Sequence, residues 1–260
     1  MHEHSIFLTL TYADEHLKSP WLQIIDWQLF IKKLRSSVDR DIQDKELKDK
    51  LRISYIVTGE YGDKNKRPHW HAILFNYSPS DAVYDRKTEL GHHVFGSQFL
   101  TDLWGKGKVE FGSVTLESAS YVARYAAKKL AHGHDEDHKY HQIHKTSSKR
   151  AIGRSFIERN FAYTFENGNI ILPNYSPAKI PRYYVDWCRK HHPEIYIRYV
   201  TEVRPKIMAL AESKRQREEW EYYDAFINRA NLAPAPLTKN KIRMTLLKSK
   251  FKIPQERLHL

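Results

Sequence analysis

His69 and His71 flank a single tryptophan in the run Arg67-Pro68-His69-Trp70-His71-Ala72-Ile73-Leu74-Phe75. A proline followed by apolar and aromatic residues up to Asn76 predicts a strand entered from a turn. Side chains alternate along a strand, so the two imidazoles fall on one face, about 7 Å apart by the strand rise. Two imidazoles so placed can share one divalent ion, although the pair alone does not name the metal. A lone His-x-His is more often an ordinary pair of sheet-surface residues. Its weight here comes from what stands around it: an acid, Glu60, upstream, and Tyr121, Tyr125 and Lys128 downstream.

These groups need elements to position them. Arg52 to Glu60 reads as a strand that ends in the two-glycine turn Gly59-Glu60-Tyr61-Gly62-Asp63. The His69 strand follows at once, so the two are expected to pair antiparallel. Glu60 and His69 would then meet at the same edge of the sheet, giving a site of two histidines and one carboxylate with open positions. Glu117 to Ala131 predicts a helix. Ala119, Val122, Ala123, Ala126 and Leu130 make its apolar stripe, and Tyr121, Tyr125 and Lys128 make a second stripe, with the tyrosines one turn apart.

Further elements complete a sheet with helices. Ser5 to Tyr12 alternates as a strand, with Ile6, Leu8, Leu10 and Tyr12 on one face and Phe7, Thr9 and Thr11 on the other. Asp26 is placed to cap a helix carrying Trp27, Phe30, Ile31, Leu34 and Val38. Residues 77–96 read as a polar excursion, and Lys108 to Thr115 as another strand. Asn167-Gly168 between apolar runs predicts a hairpin over Phe161 to Leu172. Beyond Pro181 the chain reads as helices broken at Pro193 and Pro205. Ala233-Pro234-Ala235-Pro236 reads as a linker, and Thr238 to Leu260 as a basic tail suited to phosphates. His132, His134, His138, His141 and His144 are interleaved with acids and lysine, which favours a solvated loop over a site.

Composition narrows the partners. Hydrophobic residues make up 41% of the 260, enough for a substantial core. A net charge of +12 favours a polyanion, nucleic acid before membrane. The single cysteine, Cys188, allows no disulfide within the chain and no cysteine-based zinc site, and fits a reducing compartment. No apolar run approaches the ~20 residues of a membrane span.

One chemistry uses all of these parts. A divalent ion offsets the negative charge of a phosphodiester and polarises its phosphorus. A tyrosine can then attack and form a covalent protein–DNA link, and a lysine can stabilise the charge that develops. The link conserves the bond energy for resealing by a free 3′-hydroxyl, and a second tyrosine permits a second cleavage.

FLTLTY, GEYG…RPHWHAILF and YVARYAAKK, in that order, resemble the three motifs of the HUH endonucleases. Because the tyrosines follow the His-x-His, the chain is more similar to rolling-circle initiators than to relaxases. It most resembles the microvirus replication initiators of the gokushovirus group, also through DEHL, DWQLFIKKLR, IGRSFIE and IPRYY, over roughly residues 5–215. The resemblance implies an α+β fold, an antiparallel sheet with flanking helices of ferredoxin or RRM-like type. Taken with the composition shift at Pro181 and the Pro-rich linker, it implies a nicking domain over residues 1–180, followed by a helical region over 181–232 and the linker and basic tail over 233–260. It implies His69, His71 and Glu60 as ligands of Mg²⁺ or Mn²⁺, Tyr125 and Tyr121 as nucleophiles, and Lys128 as their partner in Tyr-x-x-Lys. It further implies single-stranded or origin DNA as substrate, a host replication helicase or polymerase as partner, and the host bacterial cytoplasm as location. Two other readings use fewer of the parts: an RRM-like module that binds single strands without cutting, and a metal phosphodiesterase that activates water.

Overall fold

The structure is a computed structural model. It describes residues 2, 4–40, 42–62, 65–131, 142–147, 151–172, 175–227, 241–246 and 249. The chain divides into two compact units, Met1–Gly153 and Arg154–Leu260.

The first unit is built on a seven-stranded sheet in the order β4-β5-β6-β1-β3-β2-β7, with every pairing antiparallel. The strands are β1 (Ser5–Thr11), β2 (Ser54–Tyr61), β3 (Pro68–Phe75), β4 (Val83–Lys87), β5 (His93–Gly96), β6 (Val109–Ser113) and β7 (Ile143–Thr146). The expected alternation of β1 is realised, with Ile6, Leu8 and Leu10 buried and the residues between them partly exposed. One sheet face is closed by α1 (Ile24–Asp39) and α3 (Gln98–Trp104). Trp27, Phe30, Ile31 and Leu34 of α1 pack there on Leu8, Leu10, Val57, Trp70, Ala72 and Leu74. Each such side chain contributes roughly 1.5–3 kcal/mol by leaving water. α4 (Leu116–Ala131) packs on β2, β3 and β7 from the opposite side, the side that carries the histidines. The short helix α2 (Lys45–Leu51) is capped by Asp44, whose carboxylate accepts from the Glu46 and Leu47 amides.

Gly59 shows how tightly the helix-bearing face is filled. It stands opposite Trp70 in the β2–β3 register. A β-carbon there would lie 2.7 Å from the indole ring and 2.9 Å from Leu22. The indole N–H donates to the Tyr12 hydroxyl, and that hydroxyl donates to Asp26. Asp26 therefore sits in the first turn of α1 and is not its cap; Gln23 holds the cap position.

The second unit holds α5 (Arg154–Asn167), α6 (Arg182–His191) and α7 (Pro193–Arg198) around Ile157, Phe165, Tyr184, Trp187 and Cys188, followed by the largely exposed α8 (Arg204–Ile227). Here the expected hairpin over Phe161 to Leu172 is corrected. Residues up to Asn167 are helical, and Gly168 follows with a φ of 66°. Asn-Gly supplies the left-handed conformation that a tight hairpin needs, but a helix end needs the same conformation. The hairpin comes later and is small, with β8 (Ile170–Ile171) pairing β9 (Pro177–Ala178). Pro193 begins α7 as expected, whereas Pro205 does not interrupt the helical run. A π-helical turn at Tyr199–Val203 precedes α8, and this wider turn accommodates the ring and the missing N–H. Residues 77–96 are likewise corrected: they add β4 and β5 to the sheet. Of the basic tail, only 241–246 and 249 lie among the described residues.

Candidate metal and nucleophile site

The two-strand expectation places Glu60 and His69 together, and the structure pairs them directly in the β2–β3 register. They meet inside the sheet, because β3 has β1 on its other side. His71 lies two residues along β3, opposite Thr9 of β1 and Thr58 of β2. Glu60 Oε1 is 3.1 Å from His69 Nε2 and 2.8 Å from His71 Nε2. The ligand atoms of the three residues lie within 4.8 Å of one another.

The far side of each imidazole is also held. His69 Nδ1 is 3.1 Å from the Arg67 carbonyl oxygen, and His71 Nδ1 is 3.0 Å from Thr9 Oγ1. A carbonyl only accepts, so His69 Nδ1 donates to it, and Nε2 is the ring atom that faces Glu60. A divalent ion between Nε2 and the carboxylate would replace the proton there and take up the ring lone pair. Nitrogen and oxygen donors converge here, with outer nitrogens fixed by hydrogen bonds, which is the pattern of a divalent-metal site. The residues fit such an ion.

Electrostatics point the same way. Burial alone would raise the proton affinity of Glu60, which is 3% exposed, but hydrogen bonds from His69, His71 and Tyr121 outweigh it. Its carboxyl is held well below the usual carboxylate range. Burial pushes the His71 imidazole below its ordinary value despite the neighbouring Glu60, which keeps it neutral and able to bind metal.

Tyr121 reaches this cluster from α4, and its hydroxyl donates to Glu60 Oε1. Its ring meets His71 edge-on at 5.3 Å, while Phe7 stacks on the His71 ring at 5.5 Å. The side chains of Tyr125 and Lys128 lie outside the described residues. So do His132, His134, His138 and His141. His144, set aside in the sequence, stands on β7 opposite Thr58, in the same row as His71. It is not part of the three-residue cluster. The sequence did not single out Thr9, Arg67 or Phe7 for the site. The one signal for Thr9 and Phe7 was their place on the less apolar face of β1.

Among the described residues no helix is long and apolar enough to cross a membrane. Residues 5–130 match the family model of replication-associated protein ORF2. The chain is 51% identical to replication-associated protein VP4 of Bdellovibrio phage phiMH2K over 260 residues, covering all of this chain and 82% of that protein. It is 29% identical to replication-associated protein ORF2 of Spiroplasma virus 4, covering 82% of this chain and 67% of that protein. It is 27% identical to replication-associated protein ORF4 of Chlamydia phage 1, covering 87% of this chain and 57% of that protein. No solved structure matches it. The ordered motifs and these matches agree, and the chain belongs to the family of phage replication-associated proteins, of the microvirus initiator type.

Proposed function

We propose that this protein initiates rolling-circle replication by nicking single-stranded or origin DNA through a 5′-phosphotyrosine intermediate. The observation that carries the reading is the Tyr121 hydroxyl bonded to the carboxylate of the Glu60–His69–His71 cluster. A nucleophile one hydrogen bond from a metal-ligand set is the arrangement that tyrosine attack on a metal-held phosphate requires. Neither the binding-only module nor the water-activating phosphodiesterase has a use for that tyrosine. The relatives' names supply the replication context.

His69, His71 and Glu60 would hold Mg²⁺ or Mn²⁺, and the imidazole pair favours Mn²⁺, since Mg²⁺ prefers oxygen donors. When bound, the ion would withdraw charge from the scissile phosphate. The phenol loses its proton as its oxygen attacks phosphorus, the bond to the 3′ oxygen breaks, and that oxygen takes up a proton in turn and leaves as a hydroxyl. The 5′ phosphate stays on the tyrosine. Tyr125, one helical turn beyond Tyr121 and three residues before Lys128, is assigned the first attack, and Tyr121 the second, which cuts the regenerated origin. The nicking domain is assigned to residues 1–180, the helical region to 181–232, and the DNA-contacting tail to 233–260, with a host replication helicase or polymerase as partner in the host bacterial cytoplasm.

The test is incubation with labelled single-stranded origin DNA and Mn²⁺, followed by denaturation and peptide mapping. A labelled protein band is expected. Tyr125→Phe should remove most of it, while Tyr121→Phe should allow a first nick and impair circle closure. An adduct found only on Tyr121 reverses the order, and one on neither tyrosine removes covalent catalysis by α4.

A further inference from the structure

The helix-bearing side of the first unit carries a feature that the metal cluster and the tyrosine helix do not use. α1, the segment around α2 and the start of β2 enclose an open cleft of about 690 Å³. Lys32, Arg35, Arg40, Lys48 and Arg52 line it, against one carboxylate, Asp39. Other cations of this unit are paired with acids: Arg67 with Asp14, and Arg86 and Lys108 with Glu110. No ion pair among the described residues uses Lys32, Arg40, Lys48 or Arg52.

The floor of the cleft is built. Arg35 donates from Nε (3.1 Å) and Nη2 (2.7 Å) to the Ile53 carbonyl, and its guanidinium lies 5.3 Å from the centre of the Tyr55 ring. Burial, and then the charge of Arg52, lower its proton affinity. A guanidinium stays charged regardless, so the half-buried Arg35 and the cations around it, of which Lys32 and Arg40 are exposed, gather like charge in one open cleft, and an anion would relieve their repulsion. Several separated cations around an open cleft suit a chain of phosphates better than one small ion.

We propose that this cleft binds backbone phosphates of DNA, as a second contact separate from the metal cluster. The inference rests on the reading of this chain as a DNA-nicking protein, which supplies the polyanion. The two sites share strand β2: Tyr55 and Glu60 are five residues apart, about 16 Å along the strand, and point to opposite faces. DNA in the cleft is therefore not at the cutting position. The cleft would hold flanking DNA while an end is processed on α4.

The test compares the full chain with a variant carrying Lys32→Gln, Arg40→Gln and Lys48→Gln, which spares Arg35 and its main-chain bonds. Affinity for a labelled single-stranded oligonucleotide and for its duplex is measured against salt, with Mn²⁺ affinity in parallel. The slope of log affinity against log salt should fall by about 2–3, since each lost phosphate contact removes roughly 0.7–0.9. Mn²⁺ affinity should not change. A charge-matched control, Lys87→Gln, Lys179→Gln and Lys190→Gln, should move the slope much less. An unchanged slope in the cleft variant, or an equal change in the control, overturns the inference. A mononucleotide that binds the parent chain but not the cleft variant, while the DNA slope stays put, also overturns it in favour of a free nucleotide. Should the triple variant fail to fold, Lys32→Gln and Lys48→Gln singly should each lower the slope by roughly 0.7–0.9, and no change in either overturns the inference. A parent chain that binds DNA with a slope indifferent to the cleft sinks this inference alone. A parent chain that binds neither DNA form sinks the nicking reading with it.

Discussion

The two faces of β3 have been put to different uses by alternate residues. Trp70, Ala72 and Leu74 point into an apolar core, where close packing with α1 and Gly59 fixes each side chain. His69 and His71 point the other way, and hydrogen bonds fix them instead: the Arg67 carbonyl, Thr9, and a shared Glu60 oxygen. A two-residue period thus lets one strand serve as scaffold and site without compromise. Damage to the two faces should then be separable.

The largest effect belongs to the site face. His69→Ala with His71→Ala should lower covalent adduct formation by about 100-fold or more, while DNA binding largely persists, because phosphate contacts dominate affinity. Adduct assays with Mn²⁺ beside a binding titration check this, and full nicking by the double variant would refute the ligand assignment. The core face should answer differently. Gly59→Ala pushes a methyl group into Trp70 and Leu22, and overpacking of this kind costs ~1–3 kcal/mol. Thermal unfolding should move down by several degrees, with adduct formation below the transition nearly unchanged. Lost activity at full stability would show that the faces are coupled.

Acid should weaken the site face and the binding of Mn²⁺ proposed for it. His71 in the folded chain takes a proton less readily than it would unfolded, so its stabilising contribution is present above the ordinary imidazole range and is lost on acidification through about pH 6.5 and below. Glu60, held low, contributes above about pH 4.3 and loses that contribution as the carboxylate protonates. Protons also compete with the ion for the imidazoles. Mn²⁺ affinity and unfolding temperature should therefore both fall from pH 7 to pH 5. The fall in stability should shrink in the double histidine variant; an undiminished fall would place the acid sensitivity elsewhere.

How much of this was legible in the sequence follows from range. β1, β2 and β3 show their alternation locally, and the short Gly59–Arg67 connection forces β2 and β3 together, so Glu60 and His69 were legible as a pair. Exposed strands such as β4 have no buried face and hence no alternation to read. Asn167-Gly168 misled because one dipeptide satisfies two turn geometries. The partners of the outer imidazole nitrogens were the hardest. Thr9 is 62 residues from His71 in sequence, and their contact depends on the β1–β3 register, which the hydrophobic pattern constrains without naming the pair.

That hidden contact gives the smallest and sharpest test. With an ion on Nε2, His71 must carry its proton on Nδ1 and needs an acceptor there; the Thr9 hydroxyl lies 3.0 Å away. A hydroxyl can also donate, so it serves either imidazole tautomer. Thr9→Val keeps the branched shape that a strand accepts and removes only this ability. Mn²⁺ affinity should fall about tenfold, the lower end of what such supporting bonds contribute, while unfolding without metal shifts by about 1 kcal/mol or less. Thr9→Ser restores the hydroxyl and should recover the affinity. If Val and Ser behave alike, the His71 ring is oriented by its packing between Phe7 and Tyr121. The site face would then depend on packing, as the core face does, and the contrast between them would narrow to the ligand atoms themselves.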